Sequence, residues 1–458
     1  MSETSAKKIY VGAIILGVGT FIAKLLGAAY RIPLTKIVGA SGLGLYQMVF
    51  PVYTLLLDLS GASVPSAISK LVSSYGDEFK GIYAKKTLRV SLLFFSVLGL
   101  ILSLFTALFA NAVAFAQGDI RAGKAYLLLS PSVFIVCVIS CFRGYFQGFM
   151  NMVPTAVSQI TEQVVKLVFG LLLANYFMPD VARAVAGATL AITVSEIFAF
   201  IQLFIFYKLR KKGNVALTER LTRRDFSSGL KDVLSYAFPI AVSGLILPLS
   251  KVLDSFLVIN ILKAYSDNAT GLYGLYSGVA VTVIGLPVAV CYGIAAVAVP
   301  AVSGAKGKGV KRNSLNTLVL TFSVSFFCAA ACFIFAPQIV EILFGYLSPA
   351  EKEISVKLLK LSSPCVTLLS VLQTANAVLI GRSAPFKPII GMTVGVTVKT
   401  VVEILALKNP NINVFGVAIG SIACYFVADL INLSMIPLIK GRRSNESRRV
   451  KDRRYAGT

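Results

Sequence analysis

The sequence predicts an all-α membrane protein with twelve spanning helices, arranged as two halves of six. Of its 458 residues, 56% are hydrophobic and only 14% are charged, and the mean hydropathy is +0.80. A soluble chain of this length needs more charge to cover its surface. Apolar runs of roughly 18 or more residues recur along the whole chain, and each can cross the hydrocarbon layer as a helix. These runs are too long and too continuous for β-barrel strands.

The predicted helices follow the apolar runs in order along the chain. Lys7 and Lys8 precede the first run, which is too long for a signal peptide and is therefore interpreted as a retained helix. The twelve predicted spans are 10–30, 43–68, 88–115, 127–149, 153–176, 184–207, 234–262, 271–300, 315–336, 356–380, 388–407 and 413–438.

Basic residues set the predicted orientation. With both termini in the cytoplasm, Lys and Arg show an about threefold excess in the inner loops and tail over the outer loops, the bias typical of membrane proteins. The net charge of +24 then reflects contact with an anionic inner leaflet, and no nucleic-acid partner is expected.

Similar segments in the two halves indicate an internal duplication. "GLYQMVFPVYTLL" (44–56) resembles "GLYSGVAVTVIGL" (274–286), and later matches follow in the same order at separations of roughly 230 residues. A looser match aligns Tyr46 with Tyr273, and the later matches include the pairs Pro131 and Pro364, and Pro154 and Pro388.

The duplication predicts four segments with distinct roles. The expected lobes are 1–207 and 233–438, with a basic cytoplasmic linker at 208–232 and a basic cytoplasmic tail at 439–458. Parallel repeats of this kind are typical of transporters, in which a cavity between two lobes opens alternately to each side of the membrane.

Charged residues within the predicted helices are the main candidates for function. Each costs about 2.5–3.5 kcal/mol at a helix centre before any pairing. The pairs predicted by spacing are Glu162–Lys166, Lys399–Glu403, Lys251–Asp254 and, between the first two helices, Lys24–Asp58. Such pairs either link packed helices or line a polar cavity, and both interpretations stay open for Glu162–Lys166 and Lys399–Glu403.

A basic central cavity is the favoured interpretation of the first helix in each half. Lys24 lies near the middle of the first helix, and Arg31 follows two turns later on the same face. Lys251 and Asp254 lie in the corresponding helix of the second half. Together with Asp58, these residues are the candidate substrate site. A cavity of this kind suits an anionic head group, with phosphate the main candidate.

Two further acids, Glu196 and Asp429, each lie in the last helix of their half. They are candidates for binding a coupling ion, either a proton or Na⁺, although a buried hydrogen bond explains them equally well.

The residues predict a transporter and not an enzyme. The chain has no His, its seven Cys lie in apolar segments without CxxC pairs, and no metal site is expected. It also has no phosphate-binding loop and no cofactor motif. Transport would therefore draw on an ion gradient, the membrane potential or the substrate gradient.

Three stretches resemble a known family. "RGYFQGFMNMVPTAVSQITEQ" (143–163), "VPSAISKLVSSY" (64–75) and "PLSKVLDSFLV" (248–258) are similar to the flippases of lipid-linked sugars. This family shares a superfamily with the multidrug and toxin extrusion (MATE) exporters. The resemblance covers essentially the whole chain and is greatest to the stage V sporulation protein B-like branch, which is related to the lipid II flippases.

The resemblance implies a MATE-like fold in the plasma membrane of a Gram-positive bacterium. It also implies export of an undecaprenyl-diphosphate-linked saccharide to the outer leaflet, for peptidoglycan or another envelope or spore polysaccharide. Lys24, Arg31 and Lys251 stand in the helices that form the cationic cavity of lipid II flippases. Departures are Asp58, where an arginine is usual, and twelve predicted helices in place of the fourteen found in many members.

Two alternative functions remain. The first is a cation-coupled multidrug exporter of the same superfamily, which would need acids such as Asp58, Glu196 and Asp429 in its cavity. The second is a non-transporting scaffold in envelope assembly, for which neutralising Lys24 and Lys251 would leave function intact.

Overall fold

A computed structural model describes residues 3–75, 80–209, 223–303, 308–382, 384 and 386–438. Every regular element in these ranges is a helix, so the all-α prediction is confirmed. Ten helices within these ranges are long and apolar enough to cross a membrane. This number differs from twelve because one helix contains the first predicted span and the start of the second, and because the predicted span 234–262 is divided between two helices, neither of which is among the ten. The number twelve and the cytoplasmic placement of both termini stay predictions.

The described part of the first lobe contains seven α-helices. They are α1 (Glu3–Leu57), α2 (Val64–Ser74), α3 (Lys80–Leu108), α4 (Ala110–Ala116), α5 (Gly123–Gly148), α6 (Val153–Tyr176) and α7 (Val181–Leu209). α1 contains the first predicted span and the start of the second, joined at a kink where Gly39 adopts φ 68°. A left-handed φ of this kind favours glycine, which has no Cβ. A π-helical turn, Asp58–Ala62, then leads to α2.

The second lobe repeats this plan with more interruptions. Its helices are α8 (Arg223–Gly244), α9 (Ile246–Leu262), α10 (Ala269–Gly274), α11 (Val281–Ser303), α12 (Lys308–Ile334), α13 (Ala336–Phe344), α14 (Pro349–Ser362), α15 (Pro364–Gly381), α16 (Lys387–Leu407) and α17 (Phe415–Leu438). The predicted span 234–262 is divided at Leu245 between α8 and α9, and 356–380 is divided between α14 and α15, where Pro364 begins the new helix.

The predicted linker and tail fall largely on residues that the structure does not describe, 210–222 and 439–458. After the linker, α8 packs against the first lobe. Val233 joins a hydrophobic cluster of that lobe, and the Lys70 ammonium lies 4.0 Å from the ring centroid of Tyr236. The division at residues 207 and 233 stays a prediction.

The lobes meet at one end of the molecule, called here the closed end, which carries the turns 117–122 and 263–268. Gln117 donates to Ser255 Oγ at 2.8 Å, and Thr270 donates to Asp119 Oδ2 at 2.8 Å. Lys263 also donates to the carbonyl oxygen of Gly118. Under the predicted orientation, this end faces the outside of the cell.

Hydrophobic packing follows the same division. One large cluster of buried residues contains helices of both lobes at the closed end, including Leu43, Tyr126, Ile259 and Leu347. Toward the opposite end, a first-lobe cluster around Phe146 and a second-lobe cluster around Val378 are separate. The lobes therefore share a core at one end and, apart from α8, have their own cores at the other.

Close backbone contact between α1 and α10 at the closed end leads to a first prediction, for Gly274→Ala. A Cβ at Gly274 would lie 2.3 Å from the carbonyl oxygen of Ala40 and 2.6 Å from the amide nitrogen of Gly44. Because both atoms belong to the backbone, we expect the substitution to separate the lobes at this end, at a cost of about 1–3 kcal/mol. Pulsed electron paramagnetic resonance between labels at the exposed residues Ile120 and Ile342 would show a longer distance.

The matched control is Gly293→Ala in α11, where an added Cβ meets nothing within 4 Å. An unchanged distribution of label distances in Gly274→Ala would contradict close packing at this contact.

Asp119 leads to a prediction about pH. Burial acts to raise the pKa of Asp119, but hydrogen bonds from Arg121 and Thr270 outweigh it and hold the pKa below its ordinary value of 3.8. The carboxylate therefore stabilises the closed end fully above that ordinary value, and this stabilisation is lost as the pH falls through the lower, folded-state pKa. Thermal unfolding curves should show an acid-dependent loss in the wild type that is smaller in Asp119→Asn. Equal pH dependence of both proteins would contradict this assignment.

Candidate functional site: a basic cavity between the lobes

A cavity of about 650 Å³ lies between the two lobes. Helices α1, α5 and α6 of the first lobe line it together with α9, α11, α14, α15 and α17 of the second lobe and the π-helical turn Leu275–Ala280. A smaller cavity of about 110 Å³ adjoins it and shares Arg31, Phe50 and Lys251 in its lining. The larger volume is within the range of cavities that hold small molecules or the head groups of larger ones.

Basic side chains dominate the charged lining of the larger cavity. Arg31 donates to Thr282 Oγ1 at 3.1 Å across the lobe boundary, and its guanidinium lies 5.3 Å from the ring centroid of Phe50. Lys251 is exposed and lines both cavities, so its ammonium is accessible to a ligand. Lys166 lines the larger cavity from α6, with its ammonium 6.0 Å from the ring centroid of Tyr30. We call Arg31, Lys166 and Lys251 the cation cluster.

Arg143 also lines the cavity, in an ion pair with Glu162 that is 3.2 Å long. Its Nε donates to Ser158 Oγ at 3.0 Å, which fixes the guanidinium against α6. Glu162 is the acid in the charged lining, and it is neutralised by this pair. The cation cluster therefore gives the described lining a net positive charge.

The structure corrects the three predicted pairs whose side chains it describes: Glu162–Lys166, Lys399–Glu403 and Lys251–Asp254. Among the described residues, Glu162 forms its ion pair with Arg143 of α5 and not with Lys166. Lys399 forms its ion pair with Asp254 of α9. The predicted partner of Asp254 was Lys251. Residues four apart on a helix are within reach of each other, but side chains that point into a helix interface meet the neighbouring helix as well. The cross-helix partner is therefore chosen by packing, which spacing does not reveal.

Lys399, Asp254 and Glu403 form a buried cluster beside the cavities. The ammonium of Lys399 also lies 3.5 Å from Ser250 Oγ, and Glu403 is adjacent to Asp254. Glu403 is only 1% exposed, and its Oε1 has no hydrogen-bond partner among the described atoms. Asp254 and Lys399 line the smaller cavity, whereas Glu403 lies behind it.

The remaining predicted site residues are less central. Asp58 lies in the π-helical turn outside both cavity linings, near enough to Lys251 to act on it electrostatically. Glu196 is buried behind the wall and accepts a hydrogen bond from Tyr53 at 3.3 Å. Asp429 is also buried, with one oxygen lacking a partner in the described part of the chain. The backbone of Lys24 belongs to α1, but its side chain lies outside the described residues.

Sequence reasoning did not select several residues of the cavity. Arg143, Gln159 and Gln163 are not among the predicted site residues, although all three line the cavity. A signal existed: Gln159, Gln163 and Lys166 recur at i, i+4 and i+7 on one face of an otherwise apolar helix.

Comparisons with known proteins agree with this architecture. The chain is 27% identical to stage V sporulation protein B of Bacillus subtilis over 447 residues, covering 94% of this chain and 84% of that protein. It is also 27% identical to the lipid II flippase MurJ of the same organism over 455 residues, covering 91% and 81%. These relatives and the many spans place the chain in the plasma membrane of a Gram-positive bacterium.

A solved structure shows the fold independently. An inward-facing MATE family transporter of the MOP superfamily superposes with a TM-score of 0.75 at 17% identity, covering 93% of this chain and 98% of that one. The prediction of a MATE-like fold is confirmed by this likeness. A family described as polysaccharide biosynthesis protein matches residues 9–306, so the chain belongs to the polysaccharide biosynthesis protein family.

Proposed function

We propose that this protein is a flippase that moves an undecaprenyl-diphosphate-linked saccharide from the inner to the outer leaflet of the plasma membrane. The observation that carries the proposal is the cation cluster in a cavity between two lobes. A diphosphate offers several charged oxygens, and guanidinium and ammonium groups bind such oxygens strongly. The match to the lipid II flippase MurJ of Bacillus subtilis supports a lipid-linked ligand of this class.

Alternating access is the proposed mechanism. In the predicted orientation, the contacts at the closed end separate the cavity from the outside, so the lipid head group enters from the cytoplasmic side. Binding to basic residues of both lobes then draws the lobes together around the phosphate. The lobes part at the closed end, and the head group leaves toward the outer leaflet. The protein provides binding and movement in this scheme and makes no covalent change to the lipid.

The coupling ion is part of the proposal. Glu196 and Asp429 occupy corresponding positions in α7 and α17, and each has a carboxylate oxygen without a partner among the described residues. We propose that one of them binds a proton or Na⁺ during the cycle. Flipping in proteoliposomes under an imposed proton or Na⁺ gradient would identify the ion, and Glu196→Gln or Asp429→Asn should remove the response. A rate that neither gradient changes would contradict coupling at these acids.

Binding to the purified protein tests the proposed substrate class. The probes are undecaprenyl diphosphate linked to N-acetylglucosamine and the organic cation tetraphenylphosphonium. The proposal predicts binding of the lipid and competition by polyprenyl diphosphates. Binding of the organic cation alone would favour the multidrug exporter, for which Glu162 in the cavity and the MATE fold are the supporting observations. Binding of neither probe would favour the scaffold.

A further inference from the structure

The two walls of the central cavity differ in chemistry. α6 contributes Gln159, Glu162, Gln163 and Lys166, at spacings that place them along one helix face. α11 contributes a mainly apolar wall. Its apolar residues in the lining are Val281, Ile284, Leu286, Val288 and Ala289. An amphipathic ligand in this cavity would therefore turn its polar part toward α6.

The two glutamines and the glutamate of this α6 face are absent from the corresponding positions of the second lobe. The spacing that relates Pro131 to Pro364 also relates Lys166 to Lys399, so the lysine is common to both lobes. The corresponding residues of α16 are Met392 for Gln159, Gly395 for Glu162 and Val396 for Gln163. Because a shared fold does not require the two glutamines, their presence in one lobe points to a role in binding.

Hydrogen bonds position both glutamine side chains and leave one donor and one acceptor free. Thr20 donates to Oε1 of Gln159 at 3.1 Å, which leaves the Nε2 of Gln159 to donate to a ligand. Gln163 donates from Nε2 to Oε1 of Glu162 at 3.0 Å, which leaves the Oε1 of Gln163 to accept. Glu162 is itself held by Arg143. The two free groups lie one helical turn apart on the same wall.

Resting on the proposed function, we infer that Gln159 and Gln163 bind the sugar next to the diphosphate and so determine which head groups the cavity accepts. Lys166 is the next residue of the same face and belongs to the cation cluster. A diphosphate held there extends its first sugar along α6 toward the glutamines. Sugar hydroxyl and acetamido groups both donate and accept hydrogen bonds, which matches the free donor and acceptor. A lipid without the sugar would leave both amides without partners.

Comparison of two lipids tests this inference. Dissociation constants would be measured in nanodiscs for undecaprenyl diphosphate linked to N-acetylglucosamine and for undecaprenyl diphosphate alone. The wild type should bind the saccharide-linked lipid about tenfold more tightly, as expected for two neutral hydrogen bonds. The double variant Gln159→Leu, Gln163→Leu should bring this ratio close to one. Its remaining binding of undecaprenyl diphosphate would show that the protein is folded.

A second variant displaces the Gln163 amide by a substitution in a neighbouring helix. A Cβ at Gly27 of α1 would lie 3.1 Å from Oε1 of Gln163, so Gly27→Ala should displace the amide and lower the ratio. Gln202→Leu is the matched control, since it removes an amide from α7 outside the cavity lining and should keep the ratio.

The outcomes are distinct. Equal wild-type affinity for the two lipids, or a ratio that survives the double variant, would overturn the inference and leave the flippase proposal standing. Failure of the wild type to bind either lipid would overturn the proposed function and the inference with it.

Discussion

Replacing Lys399 with methionine is expected to lower the free energy of unfolding by about 3–5 kcal/mol, the cost of breaking a buried ion pair. Lys399 is 5% exposed and forms an ion pair with Asp254, and Glu403 is adjacent to that pair. Removal of the ammonium leaves two neighbouring carboxylates in a buried site without their cation. Thermal unfolding can be followed with a thiol-reactive dye, because six of the described cysteines are buried in the folded protein.

The pseudo-symmetric residue provides the control for this prediction. Lys166 is buried at the corresponding position of the first lobe, but Glu162 keeps its ion pair with Arg143 when Lys166 is replaced. Lys166→Met should therefore destabilise the protein less than Lys399→Met. Asp254→Asn should also be milder, since Glu403 lies four residues from Lys399 and can take over the ammonium. Similar losses in all three variants would contradict the assigned network.

Replacing Arg31 and Lys251 together with glutamine is expected to weaken binding of undecaprenyl-diphosphate-linked N-acetylglucosamine by about a hundredfold or more. Each hydrogen bond to a charged group contributes about 1.5–3 kcal/mol, and each 1.4 kcal/mol is a factor of ten in affinity. Both side chains line the two cavities, from opposite lobes. Equilibrium binding to the protein in nanodiscs gives the dissociation constants directly.

The control for the double variant is Lys124→Gln, which removes a positive charge from the exposed start of α5. This variant should keep wild-type affinity at physiological salt, because exposed charges beyond a Debye length are screened. An affinity of the Arg31, Lys251 variant within about twofold of the wild type would contradict phosphate binding by the cation cluster.

Helix positions were largely predictable because composition determines which segments enter a membrane. The predicted fifth span, 153–176, coincides with α6, where Pro154 marks the start of the helix. Breaks inside spans were not predictable in the same way. Leu245, between α8 and α9, is preceded by Ser243 and Gly244 and followed by Pro248, but a proline also lies inside the uninterrupted helix α5, at Pro131.

Site residues were predictable as a group but not as partners. The presence of charge in apolar helices identified four residues from the sequence alone: Lys166, Lys251, Asp254 and Lys399. Insertion of a charged side chain at the centre of a membrane helix has an unfavourable free energy, so such a residue indicates a partner or a function. Which acid meets which base depends on distances between helices that are far apart in sequence. Asp254 and Lys399 are separated by most of the second lobe, and no local pattern connects them.

The shared hydrophobic cluster at the closed end has a consequence for the direction of the transport cycle. Opening this end exposes apolar surface of both lobes to water, whereas in the described residues of the opposite end the clusters of the two lobes are separate except where α8 packs on the first lobe. In the predicted orientation, the empty protein therefore rests with its cavity directed to the cytoplasm, ready to load. A ligand can reverse that preference only if it binds the outward-open conformation more tightly than the inward-open one. The free-energy difference between the two empty conformations therefore sets the minimum ratio of these two affinities that a transported lipid must have.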